Sequence, residues 1–322
     1  MSSTGTVLIT GGTVGLGYHA ALQIAKQQPE SRIVLCSRTD HENATASIKA
    51  ATGHSNVDFL KLDLASLELV RSFAADYASK GFPPIKALVL NAGLQFPGGV
   101  KYSADNIEMT FAINHVGHAL LFYLLRPYLA RDCRIVITAS GTHDPLQKTG
   151  IPDAAYNTAE ELAHPTPKTA GNAGRQRYST SKLCNVMWMY ALHKRLKNAS
   201  AGQRWTVTAF DPGFMPATGL VRDAAAPVRF LATRVLANAL PVLRLLMSPN
   251  VHSPEESGAA LATLAVGGVP ESGKYWEGTK VIKSSELSYN VEKQEDLWRW
   301  TIDRVAQNEE EKREFEEVYP SA

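Results

Sequence analysis

The sequence predicts an α/β protein built on a doubly wound, mostly parallel sheet. Short apolar runs recur along the chain without polar alternation, which is typical of strands buried on both faces of a sheet. A longer stretch with helical periodicity follows each run. The glycine-rich segment TGGTVGLG joins the first run to the first helix. These three observations together favour alternating strands and helices.

The predicted strands, in chain order, are TVLIT, RIVLC, VDFLKLD, IKALVLN, CRIVITAS and WTVTAF. The chain has 322 residues, 44% of them hydrophobic, and shows no internal repeat or low-complexity linker. We therefore predict a single domain over residues 1–322. In such sheets ligands bind beyond the carboxyl ends of the strands, so the residues that end each run are the candidate site residues.

The turn after the first predicted strand carries Gly11, Gly15 and Gly17. Glycines here allow a tight turn and let backbone N–H groups at a helix N-terminus approach a pyrophosphate, as in Rossmann-type dinucleotide sites. Thr13 and Leu16 belong to the same predicted cofactor segment. The alternative is a turn that needs positive φ for structural reasons alone.

The second predicted strand ends in Ser37 and Arg38, where an NAD site would carry an acidic residue for the ribose diol. Arg38 offers a planar, charged fork to a 2′-phosphate, which favours NADP(H) as the cofactor. The alternative is a solvated arginine in a loop.

The remaining predicted strands also end in polar or glycine-containing motifs. They are Asp63 with Leu64, the triplet Asn91, Ala92 and Gly93, Ser140 in TAS, and Asp211, Pro212 and Gly213 in DPG; YSTSK, with Tyr178 and Lys182, precedes the last strand. Across almost the whole chain this order resembles the short-chain dehydrogenase/reductase family.

The resemblance implies roles for individual residues. Asn114, Ser140, Tyr178 and Lys182 match the family's catalytic tetrad, with Asn114 implied to hold a water linked to Lys182 and Lys182 to hold the nicotinamide ribose. Asp63 matches the adenine-contacting aspartate, Asn91 a structural residue beside the cofactor, and Thr218 the residue that contacts the carboxamide. Pro212 and Gly213 are included in the predicted cofactor site.

The residue types suit reduction of a carbonyl. A phenol four residues from a lysine on a helix shares a face with it. We predict that Tyr178 supplies the proton, with its pKa lowered toward neutrality by Lys182 and the oxidised nicotinamide. Ser140 is predicted to donate a hydrogen bond to the substrate oxygen.

Two segments are predicted to shape the substrate site. Residues 141–177 form an insertion rich in Gly, Pro, Thr and Asn, and residues from about 214 to 252 contain amphipathic stretches that we interpret as a helical substrate lid. Ser140, Thr142, Tyr178, Phe214 and Met215 are the predicted substrate contacts. The alternatives are a passive insertion and a lid that lies on a membrane surface.

SKLCNVMWMYALHKRL, PEESGAALATLAV and SGKYWEG resemble the branch that holds retinol-dehydrogenase-like enzymes and light-dependent protochlorophyllide reductases, which handle bulky apolar substrates. Phe214 stands where those photoreductases carry a cysteine. We therefore predict ordinary reduction of a ketone or aldehyde, or the reverse oxidation. Reduction of an activated C=C bond and a non-catalytic NADP-binding scaffold are the alternatives.

Charge and composition limit the classes of binding partner that the sequence predicts. Lys+Arg 33 against Asp+Glu 31, scattered along the chain, argue against nucleic acid. Three widely spaced cysteines and the absence of an apparent secretion signal predict a cytoplasmic protein without a metal site, whose oligomeric state, monomer or homodimer, stays open. His115 and His118 are interpreted as packed helix histidines.

The C-terminal stretch VEKQEDLWRWTIDRVAQNEEEKREFEEV is predicted to be helical. Trp298, Ile302 and Val305 share one face, which predicts docking on the core. The charged run beyond them is predicted to be a solvated helix end.

Overall fold

The computed structural model describes residues 4–198, 204–216, 240–246 and 248–319. Within them a single sheet has the strand order 3-2-1-4-5-6-7-8. All neighbouring strands are parallel except the last pair, which is antiparallel. The strands are β1 Thr6–Thr10, β2 Arg32–Ser37, β3 Val57–Lys61, β4 Ile85–Leu90, β5 Leu129–Thr138, β6 Thr206–Asp211, β7 Lys274–Glu277 and β8 Lys280–Ile282.

Helices cover both faces of this sheet. They are α1 Gly15–Gln27, α2 Ala44–Thr52, α3 Leu67–Ser79, α4 Met109–Phe111, α5 Gly117–Leu125, α6 Ala159–Ala163, α7 Gly174–Asn198, α8 Leu240–Leu246, α9 Pro254–Val266, α10 Val291–Val305 and α11 Glu309–Glu316. A π-helical turn, Ala112–Val116, joins α4 to α5. Short 3-10 turns lie at His41–Asn43, Arg126–Tyr128, Gly141–His143, Pro145–Gln147 and Glu286–Tyr289.

The sheet separates two hydrophobic cores. Leu8 of β1 packs in one core with α5 and α7, whereas its neighbours Val7 and Ile9 pack in the other with α1 and α9. Because the central strands have both faces covered, their sequences lack polar alternation. The predicted doubly wound fold is confirmed. The strand order reverses between β1 and β4, and such a reversal opens a crevice at the carboxyl ends of the strands.

The six predicted strands are all present, but the sequence interpretation missed β7 and β8. They lie within and just after SGKYWEG and are only four and three residues long. Gly278, with φ of 55°, makes the tight turn between them. Runs this short carry too little periodicity to be recognised as strands.

The C-terminal segment forms two helices rather than one. Trp298, Ile302 and Val305 are buried, which confirms the predicted core-facing side of α10. Asn308 then starts α11 by accepting hydrogen bonds from the N–H groups of Glu310 (3.1 Å) and Glu311 (2.9 Å). The charged side chains of this run are mostly exposed, as predicted, but the run is a separate helix that also docks on the core, because Phe315 is buried and stacks on Tyr123 with ring centres 4.7 Å apart.

Part of the predicted insertion, residues 141–177, docks on α10. Tyr156 donates a hydrogen bond of 2.6 Å to the Asp296 carboxylate, and the same oxygen accepts the N–H of Ala159 at 2.8 Å. Tyr156 and Ala159 are buried. The helix that carries Tyr178 begins at Gly174, before the predicted insertion ends.

Replacing Tyr156 with phenylalanine is expected to lower the free energy of unfolding by about 1.5–3 kcal/mol, because it removes a hydrogen bond to a charged acceptor. Urea denaturation at neutral pH measures this change. Tyr102→Phe is the control, since Tyr102 is 45% exposed and such surface changes stay within about 0.5 kcal/mol. Equal stability of the two variants would contradict docking of this segment through Tyr156.

The two histidines near the α5 N-terminus are packed as predicted. His115 contacts Thr301 at 3.0 Å, and His118 lies between Thr10 and the Asn114 carbonyl. Burial lowers the pKa of His115 to about 3 and that of His118 to about 4, so both are neutral near pH 7. Across the described ranges, no three His, Cys, Asp or Glu side chains are grouped to hold a metal ion.

Of the predicted lid, the structure describes residues 214–216, 240–246 and 248–252, and the remainder lies outside the described residues. The helices that are described include none with the length and apolarity needed to cross a membrane.

Candidate active site

A cleft of about 220 Å³ opens at the carboxyl ends of β1, β2, β4 and β5. Its walls include most of the predicted cofactor residues: Gly11, Gly15, Leu16, Gly17, Ser37, Arg38, Asp63, Leu64, Asn91, Ala92, Gly93, Tyr178, Lys182 and Pro212. Met215, a predicted substrate contact, lies on the wall as well. The fold therefore brings motifs that are far apart in sequence to one edge of the sheet.

The glycine turn has separate physical reasons for its glycines. Gly11 and Gly15 adopt φ of 65° and 51°, in the left-handed region that other residues rarely occupy. Gly17 lies inside α1, where an added Cβ would be 2.2 Å from the Gly11 carbonyl oxygen. The turn and the helix therefore approach each other too closely for any side chain at Gly17.

The N-terminus of α1 faces this cleft. Val14 precedes the helix and offers no side-chain cap, and Gly15, Leu16 and Gly17 of the first turn line the cleft. The first N–H groups of a helix have no intrahelical acceptor and carry partial positive charge. This arrangement fits the pyrophosphate of a dinucleotide.

The end of the cleft beyond β2 and β3 is lined by Ser37, Arg38 and Asp63. Arg38 is exposed, and within the part of the chain that the structure describes it donates no hydrogen bond to the protein. The Asp63 carboxylate accepts the N–H of Ala65 at 3.0 Å, which fixes its direction. A guanidinium in this position is available to a phosphate group on the ribose.

Asn91 holds three strands together beside the cleft. Its side chain donates to the Thr10 carbonyl (3.0 Å) and accepts from the Thr138 hydroxyl (3.2 Å), while its backbone N–H donates to the Thr10 hydroxyl (2.8 Å). Thr10 is the last residue of β1, Asn91 comes directly after β4, and Thr138 is the last residue of β5. The role beside the cofactor that the resemblance implies for Asn91 stays a prediction.

Asn114 lies within the π-helical turn and is fully buried. Its side chain accepts the N–H of Leu94 (2.9 Å) and donates to the Leu94 carbonyl (3.0 Å) and the Ser181 hydroxyl (2.9 Å). These contacts tie the loop after β4 to α7. The predicted water-holding role of Asn114 stays a prediction.

Tyr178 and Lys182 share one face of α7, and both are buried. The Lys182 ammonium lies 5.6 Å from the centre of the Tyr178 ring and donates to the Thr138 carbonyl at 3.0 Å. A Cβ on Gly93 would be 3.2 Å from the same ammonium, so Gly93 leaves space for it. The predicted pair is therefore assembled at the inner end of the cleft.

Burial dominates the ionisation of this pair. It lowers the pKa of Lys182 to about 8, against an opposing effect of the Asp211 carboxylate. It raises the pKa of Tyr178, against a hydrogen bond from Ser140 that lowers it. The predicted lowering of the Tyr178 pKa is thus not present in the protein alone, because desolvation of the phenolate outweighs the favourable contact.

Ser140 is placed beside Tyr178 by the first turn after β5. Its hydroxyl accepts the N–H of Thr142 at 3.3 Å, and the Ser140 side chain acts to lower the pKa of Tyr178 against the larger effect of burial. His143, in the same turn, faces the Ser140 carbonyl at 2.7 Å. The serine is therefore oriented by its own turn.

Several predicted site residues do not form the cleft wall. Thr13 is buried behind the turn, and the backbone of Phe214 pairs with Asn250 (2.8 Å) and His252 (3.0 Å), while its side chain is 48% exposed. Gly213, Ser140, Thr142 and Asn114 lie next to the cleft rather than on it. Thr218 lies outside the described residues.

The cleft also has wall residues that the sequence interpretation missed: Val14, Cys36, Leu62, Leu94, Ile113, Thr138 and Ala139. Cys36, Leu62, Thr138 and Ala139 stand at or just before the ends of predicted strands. Applying the strand-end rule one or two residues further back would have found them.

Comparisons with known proteins identify the family of this chain. The sequence profile of the family described as short chain dehydrogenase matches residues 5–158. Protochlorophyllide reductase A from Oryza sativa subsp. japonica is 30% identical over 91% of this chain and 79% of its own length. Short-chain dehydrogenase iccH from Talaromyces variabilis is 28% identical over 92% of this chain and 94% of its own length.

The fold agrees as well. The Pseudomonas aeruginosa RhlG/NADP complex superposes with a TM-score of 0.58 and 20% identity, covering 85% of this chain and 94% of that one. The chain belongs to the short-chain dehydrogenase family of oxidoreductases. The family resemblance of the sequence is thereby confirmed.

Proposed function

We propose that this protein is an NADPH-dependent reductase that acts on the ketone or aldehyde of a bulky hydrophobic small molecule, or catalyses the reverse oxidation. The observation that carries the proposal is the convergence of Tyr178 and Lys182 at the inner end of a cleft that begins at a glycine turn, with Ser140 beside Tyr178. A proton donor, a cation and a hydrogen-bonding hydroxyl are what carbonyl reduction requires.

The cleft residues fit NADP(H), which would supply the hydride. Gly11, Gly15 and Gly17 leave the backbone bare where a pyrophosphate would lie, and Arg38 offers its guanidinium to a 2′-phosphate. The P. aeruginosa structural neighbour is an NADP complex, which supports the same cofactor. Pro212 and Met215 would border the nicotinamide end.

The chain's own residues would manage the proton. Tyr178, protonated at neutral pH because burial raises its pKa, donates its hydroxyl proton to the developing alkoxide. Ser140 donates a hydrogen bond to the same oxygen. The Lys182 ammonium lies close to the Tyr178 ring, and its positive charge stabilises the phenolate left after proton transfer.

Reduction of an activated C=C bond is the second candidate. The similarity to protochlorophyllide reductase A favours it. Phe214, half exposed at the edge of the site, stands where the resemblance implies a cysteine in those reductases, which favours carbonyl reduction. A non-catalytic NADP-binding scaffold, cytoplasmic location and peripheral membrane contact through the lid remain predictions.

The test is NADPH consumption at 340 nm with a panel of bulky apolar ketones, aldehydes and enones, with product identified by mass spectrometry. Alcohol products from the ketones and aldehydes support the proposal. Saturated ketones from the enones would establish C=C reduction instead. Tight NADPH binding without turnover of any panel member would favour the scaffold.

A further inference from the structure

A buried ion pair includes the residue that directly precedes Tyr178. Arg177 and Glu108 lie 3.2 Å apart, measured from Nε to Oε1, and their side chains are 9% and 2% exposed. Glu108 also caps α4, because its carboxylate accepts the N–H of Phe111 at 2.8 Å. Since both charges lose water when they are buried, such a pair needs further hydrogen bonds to be stable.

The other N–H groups of the Arg177 guanidinium supply these hydrogen bonds. Nη1 donates to the Asn172 carbonyl at 2.6 Å. Nη2 donates to the Gly98 carbonyl at 2.6 Å and to the Phe96 carbonyl at 3.4 Å. A planar guanidinium can donate in several directions at once, whereas an ammonium donates from a single nitrogen. Arg177 therefore joins the loop after β4 to the cap of α4 and to the residues that precede α7.

The loop that Arg177 contacts also forms part of the cleft. We call residues 93–98 the wall loop, because its first two residues line the cleft. Asn114 binds this end of the wall loop by accepting the N–H of Leu94 at 2.9 Å and donating to the Leu94 carbonyl at 3.0 Å. Arg177 binds the other end. Side chains from two separate segments thus hold the two ends of the wall loop.

The start of α7 packs against the wall loop. A Cβ added to Gly174, the first residue of α7, would lie 1.8 Å from the Phe96 carbonyl oxygen, so the helix backbone contacts the loop directly. Tyr178 lies about one turn further along the helix and lines the cleft together with Leu94. The position of Tyr178 relative to Leu94 therefore depends on how the wall loop is held against the first turn of α7.

We propose that Arg177 is a positioning residue that holds the wall loop against the start of α7, with Glu108 as its buried partner. Arg177 lies outside the cleft wall and acts through Leu94 and Tyr178, which it keeps in fixed positions relative to each other. The importance of this contact for turnover rests on the proposed reductase function, whereas the contact itself does not.

Hydrogen–deuterium exchange of the wall loop, measured by mass spectrometry without cofactor or substrate, tests the proposal. Arg177→Met keeps most of the side-chain length and removes the hydrogen bonds to Glu108 and to the three carbonyls. We expect amide exchange over residues 93–98 to become about tenfold faster or more, because the loop opens more easily without them. Wild-type exchange in a folded Arg177→Met protein would overturn the proposal.

Arg71→Met is the matched control. Arg71 pairs with Glu311 at 2.6 Å and also donates to the Val305 carbonyl, which joins α3 to α10 and α11. Loss of these contacts should lower the urea midpoint as the loss of Arg177 does, and it should leave exchange of the wall loop at the wild-type rate. Equal acceleration of this exchange in both variants would show a global effect and contradict the proposed positioning role.

Arg177→Lys distinguishes positioning from simple neutralisation of Glu108. The ammonium can pair with the carboxylate, but it cannot also reach three carbonyls that lie in different directions. We expect a urea midpoint closer to wild type than that of Arg177→Met, together with fast exchange of the wall loop. Wild-type values of both would leave Arg177 only a charge role and would sink the proposal. This variant also provides the test where Arg177→Met does not fold.

Turnover gives a second readout. With the best carbonyl substrate of the panel, kcat of Arg177→Lys should fall by about tenfold while the NADPH dissociation constant stays within about twofold, because the groups that act on the substrate are no longer held in one geometry. The glycine turn and Arg38 lie on other elements and keep the cofactor bound. Arg71→Met should keep the wild-type kcat.

The two readouts separate this inference from the proposed function. Wild-type kcat in an Arg177→Lys protein whose wall loop exchanges faster would overturn the role of Arg177 in catalysis. Absence of turnover in the wild-type protein would count against the proposed reductase function, and the exchange result would still decide whether Arg177 holds the wall loop.

Discussion

Phenylalanine at Tyr178 is expected to reduce kcat for carbonyl reduction by about 10²–10⁴-fold, the usual contribution of a positioned general acid. The substitution removes one oxygen atom and keeps the ring against the Lys182 ammonium. Ser140 would still donate a hydrogen bond, but no group of the site would hand a proton to the alkoxide. Steady-state kinetics with NADPH and the best substrate of the panel measures the loss.

Tyr190→Phe is the matched control because Tyr190 lies on the same helix and its hydroxyl contacts the Ser284 hydroxyl at 2.8 Å, away from the cleft. Its kcat should stay near the wild-type value. The NADPH dissociation constant of Tyr178→Phe, measured by fluorescence titration, should also change little. A kcat near wild type in Tyr178→Phe would remove the tyrosine from the mechanism.

Most of the cleft could be predicted from sequence because a parallel sheet places the ends of all its strands at one edge. Gly11, Arg38, Asp63 and Asn91 each follow a buried run. Because the carboxyl ends of parallel strands meet at one edge of the sheet, these residues can be placed together without knowledge of any contact. The pairing of Tyr178 and Lys182 could be predicted from the helical period alone, because residues four apart lie on the same face of a helix.

Other features depend on contacts between distant segments, which a linear pattern does not contain. The docking of Tyr156 on Asp296 joins the insertion to α10, and nothing in the insertion's own composition indicates it. The break between α10 and α11 depends on a single cap, Asn308, within a charged run that reads as continuous helix. Burial also reversed the expected direction of the Tyr178 pKa, since desolvation is set by the whole fold.

The choice of cofactor gives the second large effect. Arg38→Ala is expected to lower kcat/KM with NADPH by about 10–100-fold, since a hydrogen bond to a charged group contributes about 1.5–3 kcal/mol. Arg38 lines the cleft at the end of β2 and is exposed, so the substitution should leave stability unchanged. With NADH, which lacks the 2′-phosphate, kcat/KM should be nearly unaffected.

Comparing NADPH with NADH distinguishes specific recognition of the 2′-phosphate from a general loss of positive charge on the protein. Lys49→Ala removes the same charge from an exposed position on α2 outside the cleft wall, and should affect NADPH and NADH alike. A selective loss for NADPH in Arg38→Ala alone therefore assigns the 2′-phosphate to this guanidinium. An equal loss with both cofactors would place phosphate recognition elsewhere, and Ser37 would then be the next residue to replace, because its side chain borders the same end of the cleft.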